Sequence, residues 1–146
     1  MRRLHNLWRL PLSEKRLVLG AVLTSALVRT LLHACNLSGT RRLLYMLVPL
    51  SQAGQREHEA SRIVWAAEAA GDIIPGSTCL VKALVAQALL RRYGHPATLC
   101  IGAGRTDTGG FEAHAWLEDS GSVLIGGPEA RVAKFVRFAD IDQLIQ

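Results

Sequence analysis

The stretch that decides the fold is "PGSTCLVKALVAQALLRRYGHP", residues 75 to 96. A Pro-Gly-Ser-Thr break precedes an Ala/Leu/Val run that is long enough for a helix. Ser77 and Thr78 are capping candidates at its start, and Gly94 is the stop at its end. Arg91 and Arg92 fall in the last turn, where cations suit the helix dipole. The residue that opens this apolar helix is Cys79, a thiol at the one place on a helix where unpaired backbone N–H groups favour a thiolate.

Downstream the texture changes. "ATLCIGAG", "FEAHAWLE" and "SVLIGG" are short, glycine-bounded and partly alternating, which predicts strands of an antiparallel sheet. "RVAKFVRF" is a candidate fourth strand, and "ADIDQLIQ" a closing helical turn. Upstream the chain reads as helical. A long run from Ser13, taken as its N-cap, ends near Asn36. A second helix opens at Ser38-Gly39-Thr40 and stops at Pro49. A third spans "SQAGQREHEASRIVWAAEAAGD", with Gly71 as its stop. The expectation is a single domain over 1–146, with a helical region at 1–70 and a core of the Cys79 helix and the strands at 71–146. The fold class is α+β, with a central Cys-bearing helix packed on a small antiparallel sheet.

Composition agrees with a packed domain, because 146 residues with 49% hydrophobic side chains can bury a core without cross-links. The three cysteines, Cys35, Cys79 and Cys100, lack metal-ligand spacing and imply a reducing, cytoplasmic setting rather than a disulfide or zinc framework. The formal charge of +5 is weighted early, at Arg2, Arg3, Arg9, Lys15, Arg16, Arg29, Arg41 and Arg42. No nucleic-acid motif accompanies it, so no nucleic-acid partner is expected. Residues 17–35 raise the question of a membrane span, but Arg29 and His33 interrupt them. They read as a buried or interfacial helix, with peripheral membrane contact as the secondary expectation.

The thiol needs a base. His114 follows the loop "GRTDTGG" and stands in a strand, from which its ring could reach the sulfur. Cys35, within a helix, and Cys100, within a strand, lack a helix start and read as packing residues. His5, His33, His58 and His95 lack the loop-then-strand setting. Trp116, on the His114 face, reads equally as a shield for the ion pair or as a core aromatic.

Together, "CLVKALVAQALLRRYGHPATLCIGAG" and "GFEAHAWLE" resemble the transglutaminase-like cysteine peptidase family, and within it the stand-alone leader peptidases of lasso-peptide biosynthesis. The resemblance covers residues 75–127. The helical first half is similar only in texture. It implies a papain/transglutaminase-like fold, Cys79 as nucleophile, His114 as general base and then acid, and no metal or nucleotide cofactor. It also implies three partners: a precursor carrying a leader peptide, a small leader-recognition protein and an ATP-dependent macrolactam cyclase. The family's usual Asp on the next strand is replaced here by Gly126 within "VLIGG". Glu118 is the first candidate for its role of orienting the imidazole, with Glu112, Asp119, the amide of Gln87 or a backbone carbonyl as alternatives. Two other functions remain open on these residues: acyl or amide transfer by the same Cys-His pair, and non-catalytic peptide binding on the same fold.

Overall fold

In a computed structural model, which describes residues 11–50, 58–106 and 108–140, the helical half and the sheet half form two layers. The helices are α1 (Leu12–Ala34), α2 (Leu37–Leu47), α3 (Ala60–Ile73) and α4 (Cys79–Arg92). The strands are β1 (Thr98–Arg105), β2 (Phe111–Asp119), β3 (Ser122–Ile125) and β4 (Val136–Asp140), with a short α5 (Glu129–Val132) before the last. They form one antiparallel sheet in the order β3-β2-β1-β4. The α+β expectation is met.

The centre of the molecule is α4. Nine of its residues, from Val81 and Ala83 through Leu90, are buried, so it is apolar on nearly every side and must be surrounded. It packs on α1 and α3 on one side and on β1 and β2 on the other. Leu84, Val85 and Leu90 are fully buried among Val28, Leu44, Ile63, Leu99 and Leu117. Gln87, the one polar group on this stretch, donates from Nε2 to the Ala97 carbonyl at 3.1 Å and ties the helix to the entry of β1.

Several sequence expectations shift. α1 begins at Leu12 behind Pro11, with no side-chain cap from Ser13. Proline has a φ suited to that position and no N–H to leave unsatisfied. α2 starts earlier than Ser38, because Asn36 caps it by accepting from Gly39 N at 2.8 Å. Gly71 does not stop α3, which continues to Ile73. A Cβ at 71 would lie 2.4 Å from Lys82 Cε, so this glycine serves the approach of α4 instead. α3 begins only at Ala60, and residues 51–57 of the expected third helix lie outside the described residues. "RVAKFVRF" divides, since Arg131 and Val132 end α5 and the strand begins at Val136. Most of the expected terminal helical turn lies outside the described residues; Ala139 and Asp140, its first two, are the last residues of β4. α1 has 23 residues, and an 18-residue window within it reaches a mean hydropathy of 1.7, the length and composition to cross a membrane; here Leu17, Val18, Ala21 and Val28 bury one face against the other helices.

The two faces of the sheet carry different cores. Leu99, Ala115 and Leu117 face α4, whereas Cys100 and Trp116 face a second cluster with Val132, Val123 and Phe135. The segment after α5 crosses this second face closely, and two glycines of "CIGAG" make room for it. A Cβ at Gly102 would stand 2.8 Å from the Val136 carbonyl, and one at Gly104 would stand 2.9 Å from that of Lys134. Gly102→Ala therefore has no soft neighbour to displace. We expect it to cost about 1–3 kcal/mol, the range for overpacking, in a urea unfolding titration, while Ala103→Ser beside it costs less.

Candidate active site

Local structure holds Cys79 in place from three directions. Thr78 is the N-cap of α4, its Oγ1 accepting from Val81 N at 3.3 Å, which makes Cys79 the first helical residue. Arg29 of α1 donates from Nη1 to the Pro75 carbonyl and pins the turn that leads in. Lys82 reaches back from the first turn of α4 to Asp72 Oδ1 at 2.9 Å, joining the end of α3 to the start of α4. The Cys79 N–H, at the first helical position, has no acceptor within the helix.

His114 comes from β2, on the face of the strand turned away from α4. Residues alternate along a strand, and it is Ala115 and Leu117 that face α4. His114 shares the opposite face with Trp116. Its ring is buried, stacked on Phe135 at 4.9 Å between centroids and beside Trp116 at 6.2 Å. Beyond the end of the four-residue β3, Cys79, His114, Ile125, Gly126 and Gly127 border one cavity of about 350 Å3, with Glu68 and Lys82 also in its wall. The short strand is what allows the thiol and the imidazole to share a space although they belong to different faces of the sheet.

One hydrogen bond fixes the ring. His114 Nε2 lies 2.6 Å from the Gly126 carbonyl. A carbonyl can only accept, so Nε2 carries the proton and, in the neutral ring, Nδ1 keeps the lone pair that a general base needs. Gly126 is also the position where the sequence lacks the expected Asp. No side chain fits there: φ is +121, and a Cβ would lie 2.4 Å from Trp116 Cβ. The backbone thus occupies the place of the acid.

The other candidates for the orienting role are placed elsewhere. Glu118 accepts from Trp116 Nε1 at 2.7 Å and pairs with Arg137 Nη1 at 3.2 Å, so its carboxylate holds the indole that flanks His114 rather than the imidazole itself. Asp119 accepts from Ser120 Oγ, and Gln87 donates to Ala97. Glu112 borders the cavity and faces Arg131 at 3.5 Å. Cys100 is buried in the second cluster, and Cys35 is the C-cap of α1, beyond its last turn. His95 is bonded to the His58 carbonyl, and His33 to that of Arg29. Sequence reasoning missed Phe135, which needed a crossing segment to reach His114. The signal for it was present in the alternate glycines of "CIGAG", which leave that face of β1 without side chains.

These contacts separate two substitutions. Gly126→Ala should destabilise the protein and lower turnover at least tenfold, because both the positive φ and the 2.4 Å approach resist a methyl group next to the carbonyl that anchors the ring. Glu118→Gln, which keeps an acceptor for the Trp116 indole, should lower turnover less than threefold. Steady-state rates alongside thermal melts distinguish the two. A tenfold loss for Glu118→Gln without a stability change would return that carboxylate to the site.

A model of the transglutaminase-like superfamily matches residues 23–139, more than half of the chain and all of the elements that build this cavity. No curated protein and no solved structure matches. With the capped Cys79 helix, the His114 strand and the four-stranded antiparallel sheet in place, the chain belongs to the transglutaminase-like superfamily.

Proposed function

We propose that this protein is a cysteine peptidase that removes the leader from a ribosomally made lasso-peptide precursor. The observation that supports the chemistry is that Cys79 and His114 border one cavity, with Nε2 of His114 engaged by the Gly126 carbonyl so that the lone pair of the neutral ring lies on Nδ1. Members of this superfamily act as cysteine peptidases or acyl transferases. The finer assignment rests on the resemblance of residues 75–127 to the leader peptidases.

In this reading His114 Nδ1 takes the thiol proton, and Cys79 Sγ attacks the carbonyl carbon of the scissile peptide bond. In the same reading the Cys79 N–H, which has no acceptor within the helix, donates to the oxyanion of the tetrahedral intermediate. As the C–N bond breaks, the imidazolium passes its proton to the departing amine, which becomes the N-terminus of the core peptide. Water then attacks the thioester with His114 as base, releasing the leader as a free acid. No metal or nucleotide enters these steps.

The freed amine is what an ATP-dependent macrolactam cyclase requires, and a small recognition protein would present the leader by raising the local concentration of the scissile bond. These partners, a cytoplasmic setting and contact of the exposed Leu19, Leu23, Met46 and Leu47 with a membrane surface belong to the proposal. Acyl transfer is the competing outcome of the same thioester, since an amine in place of water would give an amide.

Incubation of precursor with the enzyme, followed by mass spectrometry, tests the reading. Free leader acid and free core amine are expected, and Cys79→Ala or His114→Ala should reduce the rate by at least a thousandfold. Cys35→Ala and Cys100→Ala should retain turnover. A leader–amine adduct as the main product would assign a transferase instead, and a well-folded, inactive Cys35 variant would move the nucleophile.

A further inference from the structure

We infer that the active-site cavity continues into a basic subsite that selects a carboxylate side chain of the substrate peptide. The inference rests on the peptide-substrate reading above. A second cavity, of about 280 Å3, is bordered by Arg105, Thr106, Glu112, Arg131, Lys134 and Phe135. It shares Glu112 and Arg131 with the cavity of Cys79 and His114, so the two adjoin. Phe135, at its base, is the ring stacked on His114.

The charge of this second cavity is unbalanced. Among the described residues that border it, three cations accompany one carboxylate, that of Glu112, which Arg131 meets at 3.5 Å with both groups about half exposed. Arg105 and Lys134 have no ion-pair partner among the described residues. Their placement follows from the fold: Arg105 ends β1 opposite Phe111, and Lys134 is carried across the sheet by the segment that Gly102 and Gly104 admit. A polypeptide lying across Cys79 and His114 would bring an acidic side chain to these cations without moving either element.

Geometry fixes the register. Glu112 lies two residues before His114 on β2, about 7 Å along the strand, and Arg105 stands one residue farther, opposite Phe111. At about 3.3 Å per extended residue, the selected acid is two to three residues from the scissile bond. The neighbouring Glu112 would repel a carboxylate placed closer.

The test is retention and cleavage of a positional-scanning hexapeptide library, read by mass spectrometry. Retention uses Cys79→Ala enzyme, which binds without reacting, and cleavage uses wild-type enzyme. Glu or Asp two to three residues from the cut should be enriched roughly fivefold over Gln or Asn, as partly exposed ion pairs allow. Arg105→Gln/Lys134→Gln should abolish the enrichment, and Arg105→Glu/Lys134→Glu should turn it toward Lys and Arg. Circular dichroism checks that both variants fold. Acidic peptides retained but not cleaved would leave the subsite standing and remove the peptidase reading. Cleavage without acidic preference would do the reverse. A retained fraction with no acidic enrichment, including an empty one, or a preference that persists in both variants, overturns the subsite.

Discussion

A backbone carbonyl, that of Gly126, receives the Nε2 proton of His114, and most of the local architecture follows from that one bond. For it to form, β3 must end at Ile125, so that the next carbonyl turns toward β2. Position 126 must also be glycine, because Trp116 leaves no room for a Cβ. Phe135 and Trp116 must cover the ring, since a strand residue on that face would otherwise be exposed to water. The crossing segment that delivers Phe135 in turn requires Gly102 and Gly104. Glu118, joined to Trp116 and Arg137, holds the outer side of the same cluster.

A neutral acceptor in place of a carboxylate alters the energetics in two directions. A buried carboxylate would favour the imidazolium through its charge, but removing it from water costs several kcal/mol unless its remaining lone pairs are satisfied. A carbonyl orients the ring equally well, binds the cationic ring through a charge-assisted bond, and carries no such desolvation cost. On the other side Cys79 stands at the start of α4, where the Thr78 cap and the contacts of Arg29 and Lys82 hold the first turn. The site therefore depends on backbone dipoles at both ends, the N–H groups of α4 and the carbonyl of Gly126.

Much of this was legible in the sequence. An apolar helix opened by a capped Cys79 and closed by Gly94 is a local pattern, and the alternation of "FEAHAWLE" is another, so α4 and β2 could be read directly. The pairing of Cys79 with His114 followed from chemical need. What could not be read were relations set by tertiary packing. The face of β2 that meets α4 is decided by which side chains the helix leaves room for, and Ala115 and Leu117 fit there. A backbone carbonyl was among the alternatives for the missing acid, but which one was hidden because a carbonyl has no residue identity, and Glu118 looked suitable only while the position of Trp116 was unknown. The split of "RVAKFVRF" into a helical turn and a strand depends on the glycines of β1, thirty residues earlier in the chain.

The central claim is that the neutral His114 ring is held as its Nε2–H tautomer, which leaves the lone pair on Nδ1. Long-range 1H–15N correlation spectra of the 15N-labelled protein, with the ring assigned by comparison with His114→Gln, read the tautomer directly from the two nitrogen shifts. The account predicts a protonated Nε2 and an unprotonated Nδ1 for the neutral ring. A proton on Nδ1, with Nε2 bare, would contradict it, because the Gly126 carbonyl would then have no donor and Nδ1 would have no lone pair to act as base.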